Sequence, residues 1–493
     1  MTPVRGGRRW DAIVVGAGSA GAIVAARLAE RGRTVLLLEA GLDFADPASI
    51  PSIYTTEHSA TAVLHDWGYV SEGDRQIPLP RGRLVGGSSA VNSIAAVRPQ
   101  PADLDGWGVP EWTWDACLPA LCRFETDADY GAEPYHGSDG PIRVERGEMG
   151  RISGAAIEAC ETAGYASCPD QNAPGATGFG AQPANVAGGV RQSTLVTYLR
   201  EARELEGFEI RGDVLVEKVA IASGRAVGVI AGGEDLRADM VVVAAGAYGS
   251  PALLMRSGIG PASHLRSVGV EPLVDLPVGE GLLDHPALPG VFCVARDPAD
   301  ALVPLTQRFM LRVSFDGREG KEDAHIFGPF TRSSVGEMMP PEGFVIAGFA
   351  AKPSSRGTVL LRSASPEDAP RITLNYFTGP GDLDVMLRTV RAIHELLAQP
   401  ALQKVTEQVV FPQPGASDDE IREQIRVGSL TDHHPVGTCG IGPVVDPHLR
   451  VLGVEGLRVC DASVMPDIPR ANTNFPTMMV AERFVELLDA EGV

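Results

Sequence analysis

Apolar positions along this chain fall into two rhythms. In "DAIVVGAGSAGAIVAARLAERGRTVLLLEAG" (11–41), the run AIVVG predicts a short buried strand. The stretch SAGAIVAARLAERG then predicts a helix ending at Gly32, and TVLLLEAG a second strand closing on Glu39. "VVVAAGAYGSPALLMRSGIGP" (241–261) repeats the plan as strand, glycine turn and a helix stopped by Gly258. Just before it, "FEIRGDVLVEKVAIASGRAVGVIAGG" (208–233) alternates like a run of short strands, which predicts a β-meander between Rossmann-like halves. Farther on, RFMLRVSF, GFVIAGFAAK and GTVLLRS are strand-like and DLDVMLRTVRAIHELLAQ is helical. That pattern predicts an antiparallel sheet with helices on one face. The C-terminal run TMMVAERFVELLDAEG predicts a helix returning to the first sheet. The fold class is therefore α/β plus α+β: a doubly wound, Rossmann-like domain beside an antiparallel-sheet domain.

Length and composition refine this only slightly. A chain of 493 residues is too long for one ordinary core and predicts two large or three small domains. Apolar residues at 44% and charged residues at 21% are an ordinary globular balance. The 57 glycines and 38 prolines predict many tight turns rather than a helical bundle. A net charge of −21, spread without an acidic block, argues against nucleic acid and anionic membranes as partners. Seven cysteines with no CxxC pair point to buried thiols in a reducing, cytoplasmic compartment. No signal peptide and no membrane-spanning apolar run is expected, hence no membrane insertion.

The most informative chemistry is in the first forty residues. Gly16, Gly18 and Gly21 form G-x-G-x-x-G between a strand and a helix, with Glu39 ending the next strand. Gly16 permits the tight turn, Gly18 lets backbone amides approach a pyrophosphate, and Gly21 lets helix and strand pack closely. The helix N-terminus favours phosphate, and Glu39 can bond the adenosine ribose. The motif in this context signals dinucleotide binding but does not separate NAD from FAD.

"RGRLVGGSSAVN" (81–92), "GAYGSPALLMRSGIGP" (246–261), "VGEGLLDHP" (278–286), "SRGTVLLRSASPEDAPRITLNYF" (355–377) and the segment from His433 onward resemble, in order, the glucose–methanol–choline (GMC) oxidoreductase family. The resemblance runs nearly end to end and implies FAD rather than NAD. It implies that Gly16, Gly18, Ser19, Gly21 and Glu39 hold the ADP half, with the Val216 backbone at adenine. It further implies that Arg81, Gly86, Gly87, Ser88 and Asn92 lie along the pyrophosphate and flavin. Asp461 would lie near pyrophosphate and ribityl, and the backbone from Asn472 to Pro476 near the isoalloxazine. Some members attach flavin through a histidine in the GGSS loop. Val91 stands at that position here, so noncovalent FAD is expected. The FAD-binding domain is expected to be discontinuous, over 1–105, 186–285 and 430–493. The remainder, 106–185 and 286–429, is expected to bind substrate.

The stretch "LTDHHPVGTCGIG" (430–442) holds two adjacent histidines, His433 and His434. A shared metal ion is disfavoured, because neighbours on an extended segment point to opposite faces, and no zinc-type spacing occurs elsewhere; no metal is expected. Removing a hydroxyl proton near neutral pH suits an imidazole. The resemblance makes His434, directly before Pro-Val-Gly-Thr-Cys, the base, with His433 turned away or lining the pocket beside it. Asn472, rather than Asp432 or His433, is its expected partner, donating to the alcohol oxygen. His285 reads as structural. Trp67, Trp107, Trp112 and Trp114 cluster in the first quarter of the chain, and the last three read as packing. Phe327, Phe330, Phe344 and Phe349 read as pocket wall or core.

The reaction expected from the resemblance is oxidation of a small alcohol, aromatic or furanic for example, with reoxidation by oxygen. A dehydrogenase using a quinone, redox peptide or protein acceptor is one alternative. A hydroxynitrile lyase and a non-catalytic FAD-binding protein are others.

Overall fold

Strand Arg9–Val15 lies parallel between Val35–Leu38 and the far half of Glu234–Val243. In the computed structural model, which describes residues 8–57, 64–73, 75–288, 290–301, 303–317, 322–331 and 341–492, these strands centre a seven-stranded sheet. Leu457–Val459 adds parallel to the end of Glu234–Val243, while the first half of that strand closes an antiparallel meander with Arg225–Ala231 and Val216–Ala222. Phe208–Arg211 does not belong to the meander, as the alternation suggested. It pairs parallel with Val35–Leu38 on the opposite edge. Strand periodicity is the same for either pairing, so only the tertiary contacts separate the two.

Helix Gly21–Glu30 follows the first strand at close quarters. A Cβ on Gly21 would sit 1.9 Å from the Gly16 carbonyl oxygen, so no side chain fits there. The C-terminal helix Asn474–Glu491 packs beside it and is apolar around most of its surface, as a helix buried between layers must be. Helix Trp114–Phe124 covers its other side, with the Phe124 and Phe475 rings edge to face at 5.1 Å. Residues 107–124 thus join the nucleotide-binding core rather than the second layer. Trp107 and Trp112 are buried and donate to the carbonyls of Asp467 and Pro447 at 3.0 and 2.8 Å.

The second layer is an eight-stranded antiparallel sheet. Its path runs Thr406–Phe411, Val291–Ala295, Gly343–Ala350, Ala324–Thr331, Phe309–Val313, Gly178–Ala181, with Pro286–Ala287 and Leu430–Thr431 added at the side. One face carries Phe309, Leu311, Ile326, Phe344 and Ile346 and is covered by helices Arg151–Thr162, Asp382–Leu397 and Asp418–Gly428. By the two-residue period of strands, the other face carries Arg312, His325, Phe327, Ala347 and Phe349, and it turns toward the nucleotide-binding layer. Among the described residues no helix is long and apolar enough to cross a membrane.

Glu482, 1% exposed on the C-terminal helix, ties the first layer together. It accepts from Arg27 Nε at 2.9 Å and Tyr198 Oη at 2.5 Å, joining three helices. Replacing it with alanine leaves a guanidinium and a phenol without their partner. Glu482→Ala is expected to destabilise the fold by about 3–5 kcal/mol, read as a lowered melting temperature; an unchanged melt would contradict the arrangement.

Candidate active site at the layer junction

One cavity runs from the first glycine turn to the antiparallel sheet. Gly16, Gly18, Ser19, Glu39, Arg81, Gly87, Ser88, Asn92, Val216, Asp461, Asn472 and His434 all border it. Three residues expected along the ligand do not. Gly21 lies behind the turn, against Gly16. Gly86 takes a left-handed φ of +97°, and a Cβ on it would strike Leu195 at 2.9 Å, so it shapes the loop from below. Pro476 is buried inside the C-terminal helix, and Thr477 borders the cavity instead.

The cradle suits a large ligand rich in polar atoms. A Cβ on Gly87 would fall 2.7 Å from Gly18 Cα, so the two glycine loops touch through bare backbone. The Glu39 carboxylate accepts from the amides of Ala17 and Gly41 at 2.9 and 3.0 Å, bracing the turn. Burial pushes its carboxyl up to about 7, and each oxygen keeps a second lone pair. Asp461 accepts from Gly246 N at 2.8 Å, Ser250 Oγ at 2.5 Å and Ser463 N at 2.8 Å. It thereby joins the second strand–helix turn to the C-terminal segment. Around the same cavity, Tyr248 Oη, Asn474 Nδ2, and Nε and Nη2 of Arg81 are buried without hydrogen-bond partners among the described residues. Buried polar atoms left open in this way match the carbonyl, hydroxyl and phosphate oxygens of a flavin dinucleotide. The residue at the position of covalent attachment, Val91, has no nucleophilic atom.

The far end of the cavity is built around His434. Its peptide N–H donates to Asp284 Oδ1 at 2.7 Å, and Asp284 Oδ2 accepts from Tyr376 Oη at 2.7 Å. The ring lies between two nitrogen contacts: His285 Nδ1 at 2.9 Å from His434 Nδ1, and Asn472 Nδ2 at 3.1 Å from Nε2. His285 Nε2 lies 3.0 Å from the Ala351 carbonyl, and the His285 ring stacks on Phe349 at 4.4 Å. These contacts admit one proton arrangement for neutral rings. The Ala351 carbonyl can only accept, so His285 Nε2 carries hydrogen and its Nδ1 is a lone pair. His434 Nδ1 therefore carries hydrogen and donates. His434 Nε2 is then the lone pair, and the Asn472 amide N–H donates to it.

Asp432 alters the expected pairing. Its Oδ2 lies 3.3 Å from His434 Nδ1, so Asp432 supports the same tautomer alongside Asn472, although the linear reading excluded it. Burial, followed by the neighbouring Asp284, holds the Asp432 carboxyl well above the usual carboxylate range. Burial also pushes His434 well below the ordinary histidine value of 6.5, with His285, His433 and Arg81 adding to the shift. His285 is lowered to about 3 by burial.

His433 is not on an extended strand. It adopts φ +64°, and its carbonyl accepts from Arg81 Nη1 at 2.9 Å. A left-handed turn, not strand alternation, sets the two rings apart, and both residues still border the cavity. Phe327 and Phe330 form cavity wall, while Phe344 is core. Trp67 also borders the cavity, stacked on Tyr69 at 5.6 Å, unlike the three packing tryptophans. His285, read as structural, holds the His434 ring and does not border the cavity. One neighbour of the site escaped linear reading: Arg308 was visible only as a charge opening an apolar strand run.

Family profiles described as GMC oxidoreductase match residues 10–287 and 353–481. The chain is 34% identical to an oxygen-dependent choline dehydrogenase of Vibrio vulnificus and 36% identical to a choline oxidase of Arthrobacter globiformis. Each alignment covers 98% of this chain and 94% of the relative. Its structure is similar to pyridoxine 4-oxidase from Mesorbium loti, with a TM-score of 0.91, 28% identity, and 98% and 99% of the two chains covered.

Long-range proton–nitrogen NMR on histidine-labelled protein tests the proton arrangement. His434 is expected as neutral Nδ1–H and His285 as neutral Nε2–H at pH 6.5. A doubly protonated His434 at that pH would contradict it.

Proposed function

We propose the following reaction for this chain, which belongs to the GMC oxidoreductase family: it oxidises the CH–OH group of a small alcohol to an aldehyde or ketone, with His434 taking the hydroxyl proton. Members of this family are FAD-dependent enzymes acting on CH–OH groups, and this chain is one of them. Bound FAD supplies the hydride acceptor, N5 of its ring. Everything else in the chemical step is asked of the protein.

The observation that carries the reading is the lone pair at His434 Nε2, turned to the Asn472 amide at 3.1 Å. An alcohol entering there can donate its O–H to Nε2 and accept from Asn472 Nδ2–H. That holds the carbinol oxygen in one place and leaves the C–H to point along the cavity. As the proton arrives, the ring becomes an imidazolium. Asp432 Oδ2, 3.3 Å from Nδ1, is placed to accept from the N–H on the far side of that ring. His285 acts as a positioning residue, because its Nδ1 lone pair keeps hydrogen on the far nitrogen of His434. Phe327 and Phe330 offer an apolar wall that excludes water.

Reoxidation by oxygen is the second half of the proposal, supported by the oxidase names of the choline and pyridoxine relatives. We also propose that the antiparallel layer supplies the substrate side of the cavity and the parallel layer the cofactor side. A cytoplasmic location is part of the same reading, supported by seven cysteines that are all unpaired.

Three measurements test this. Anaerobic flavin reduction by alcohol in His434→Ala is expected to slow by about 10²–10⁴-fold; unchanged kinetics would remove His434 as the base. In the parent protein the base works deprotonated and its pKa is lowered, so the acid limb of kcat/KM is expected below pH 6.5, not at it. Acid precipitation is expected to leave a colourless pellet and free FAD in solution, because Val91 offers no attachment; a yellow pellet would show a covalent bond elsewhere.

A further inference from the structure

Arg308 is 1% exposed, begins the strand run of the antiparallel layer, and borders the cavity. Its Nε and Nη2 donate to the carbonyls of Leu305 and Ser93 at 2.9 and 2.6 Å. Its Nη1 has no hydrogen-bond partner, and no carboxylate is in ion-pair contact with it, among the described residues. Two other buried arginines of this region also keep open nitrogens, Nε in Arg312 and Nε and Nη2 in Arg98, but neither borders the cavity, and Arg308 does. A buried guanidinium is costly unless its charge is met, so Arg308 is placed to be met by an anionic ligand in the cavity.

A second group at the same spot is also open. Gln182 is 3% exposed and borders the cavity, and its amide N–H donates to the Arg308 carbonyl at 2.9 Å. Its side-chain Oε1 is buried without a partner. Because the amide can present either end, its NH₂ can serve as a second donor on the cavity lining. The two side chains lie across the strand pair that aligns Phe309 with Ala181.

Apolar rings connect this spot to the base. The Arg308 guanidinium lies over Phe330 at 5.1 Å. Phe330 meets Phe327 at 5.6 Å, Phe327 meets Phe349 at 5.6 Å, and Phe349 meets the His434 ring at 5.7 Å. Asp432, the acidic group whose charge Arg308 feels, is placed against His434 Nδ1 and leaves the guanidinium free. Two donors at one end, aromatic wall between, and a base at the other end describe the outline of a substrate.

We propose that Arg308, with Gln182, binds a carboxylate on the substrate, so that the alcohol oxidised is one with a flat apolar body, a CH–OH at one end and a carboxylate at the other. The proposal rests on the alcohol-oxidation reading above and narrows it. Arginine suits this task because its planar fork matches a carboxylate and its charge persists at neutral pH. A cationic alcohol would be placed against a like charge, and a neutral one would leave the guanidinium unanswered.

The FAD-loaded protein is titrated by calorimetry with 4-methylbenzoate, 4-methylbenzamide and choline, none of which needs to react. The carboxylate is expected to bind at least about tenfold more tightly than the isosteric amide, and choline more weakly than either. Arg308→Met is expected to abolish the difference between acid and amide, and Arg308→Lys to keep part of it. Equal binding of acid and amide by the parent protein, or a preference that survives Arg308→Met, would overturn the proposal. The parent comparison decides alone if the methionine variant fails to fold. In parallel, anaerobic flavin reduction is followed with 4-(hydroxymethyl)benzoate and 4-methylbenzyl alcohol. Arg308→Met is expected to raise the half-saturating concentration of the acid about tenfold relative to that of the neutral alcohol. Tight binding of 4-methylbenzoate with no reduction by either alcohol would sink the alcohol-oxidation reading and leave the carboxylate site standing.

Discussion

The 2.9 Å contact between His285 and His434 sets the proton inventory of the site. Two buried imidazoles meet through their Nδ1 atoms, so one must donate and the other accept. The Ala351 carbonyl decides which, because it can only accept from His285 Nε2. From that single backbone oxygen the arrangement passes through two rings to the lone pair facing Asn472. Burial keeps both rings neutral, so the arrangement is stable over the pH range in which an exposed histidine would titrate.

The surrounding fold serves this contact. His285 lies just before strand Pro286–Ala287, which joins the antiparallel layer, and Ala351 follows strand Gly343–Ala350. His434 and Asn472 come from the C-terminal segment, whose strand and helix belong to the parallel layer. Asp284 binds the His434 amide and so ties the two layers at the site itself. His434 is therefore positioned by both layers, and the glycine loops border the same continuous cavity.

Much of this was legible in linear order. The glycine turn, the acid after the second strand and the apolar strands are local features, and each sits where local geometry demands. The histidine before Pro435 and Asn472 were legible through the family resemblance. Less legible were features that depend on pairing in space. Phe208–Arg211 has the pattern of a meander strand, yet it pairs at the far edge, since alternation carries no information about partners. His433 looked extended, but the Arg81 contact and a left-handed turn place it otherwise. Asp432 looked irrelevant to His434 until the turn folded its carboxylate back to Nδ1.

The sequence by itself determined the two layers, the dinucleotide cradle and, through the family resemblance, the histidine proposed as base. These follow from periodicity, from glycines whose missing Cβ is required locally, and from residue types suited to one chemistry. Tertiary structure alone decided which tautomer the base adopts, which carboxylate supports it, and which arginine is left open in the cavity. The physical reason is shared by all three. A hydrogen bond, a buried charge and an unmet donor are properties of atoms brought together from distant segments. His285 and His434 are 149 positions apart, and only the folded chain brings their nitrogens within reach.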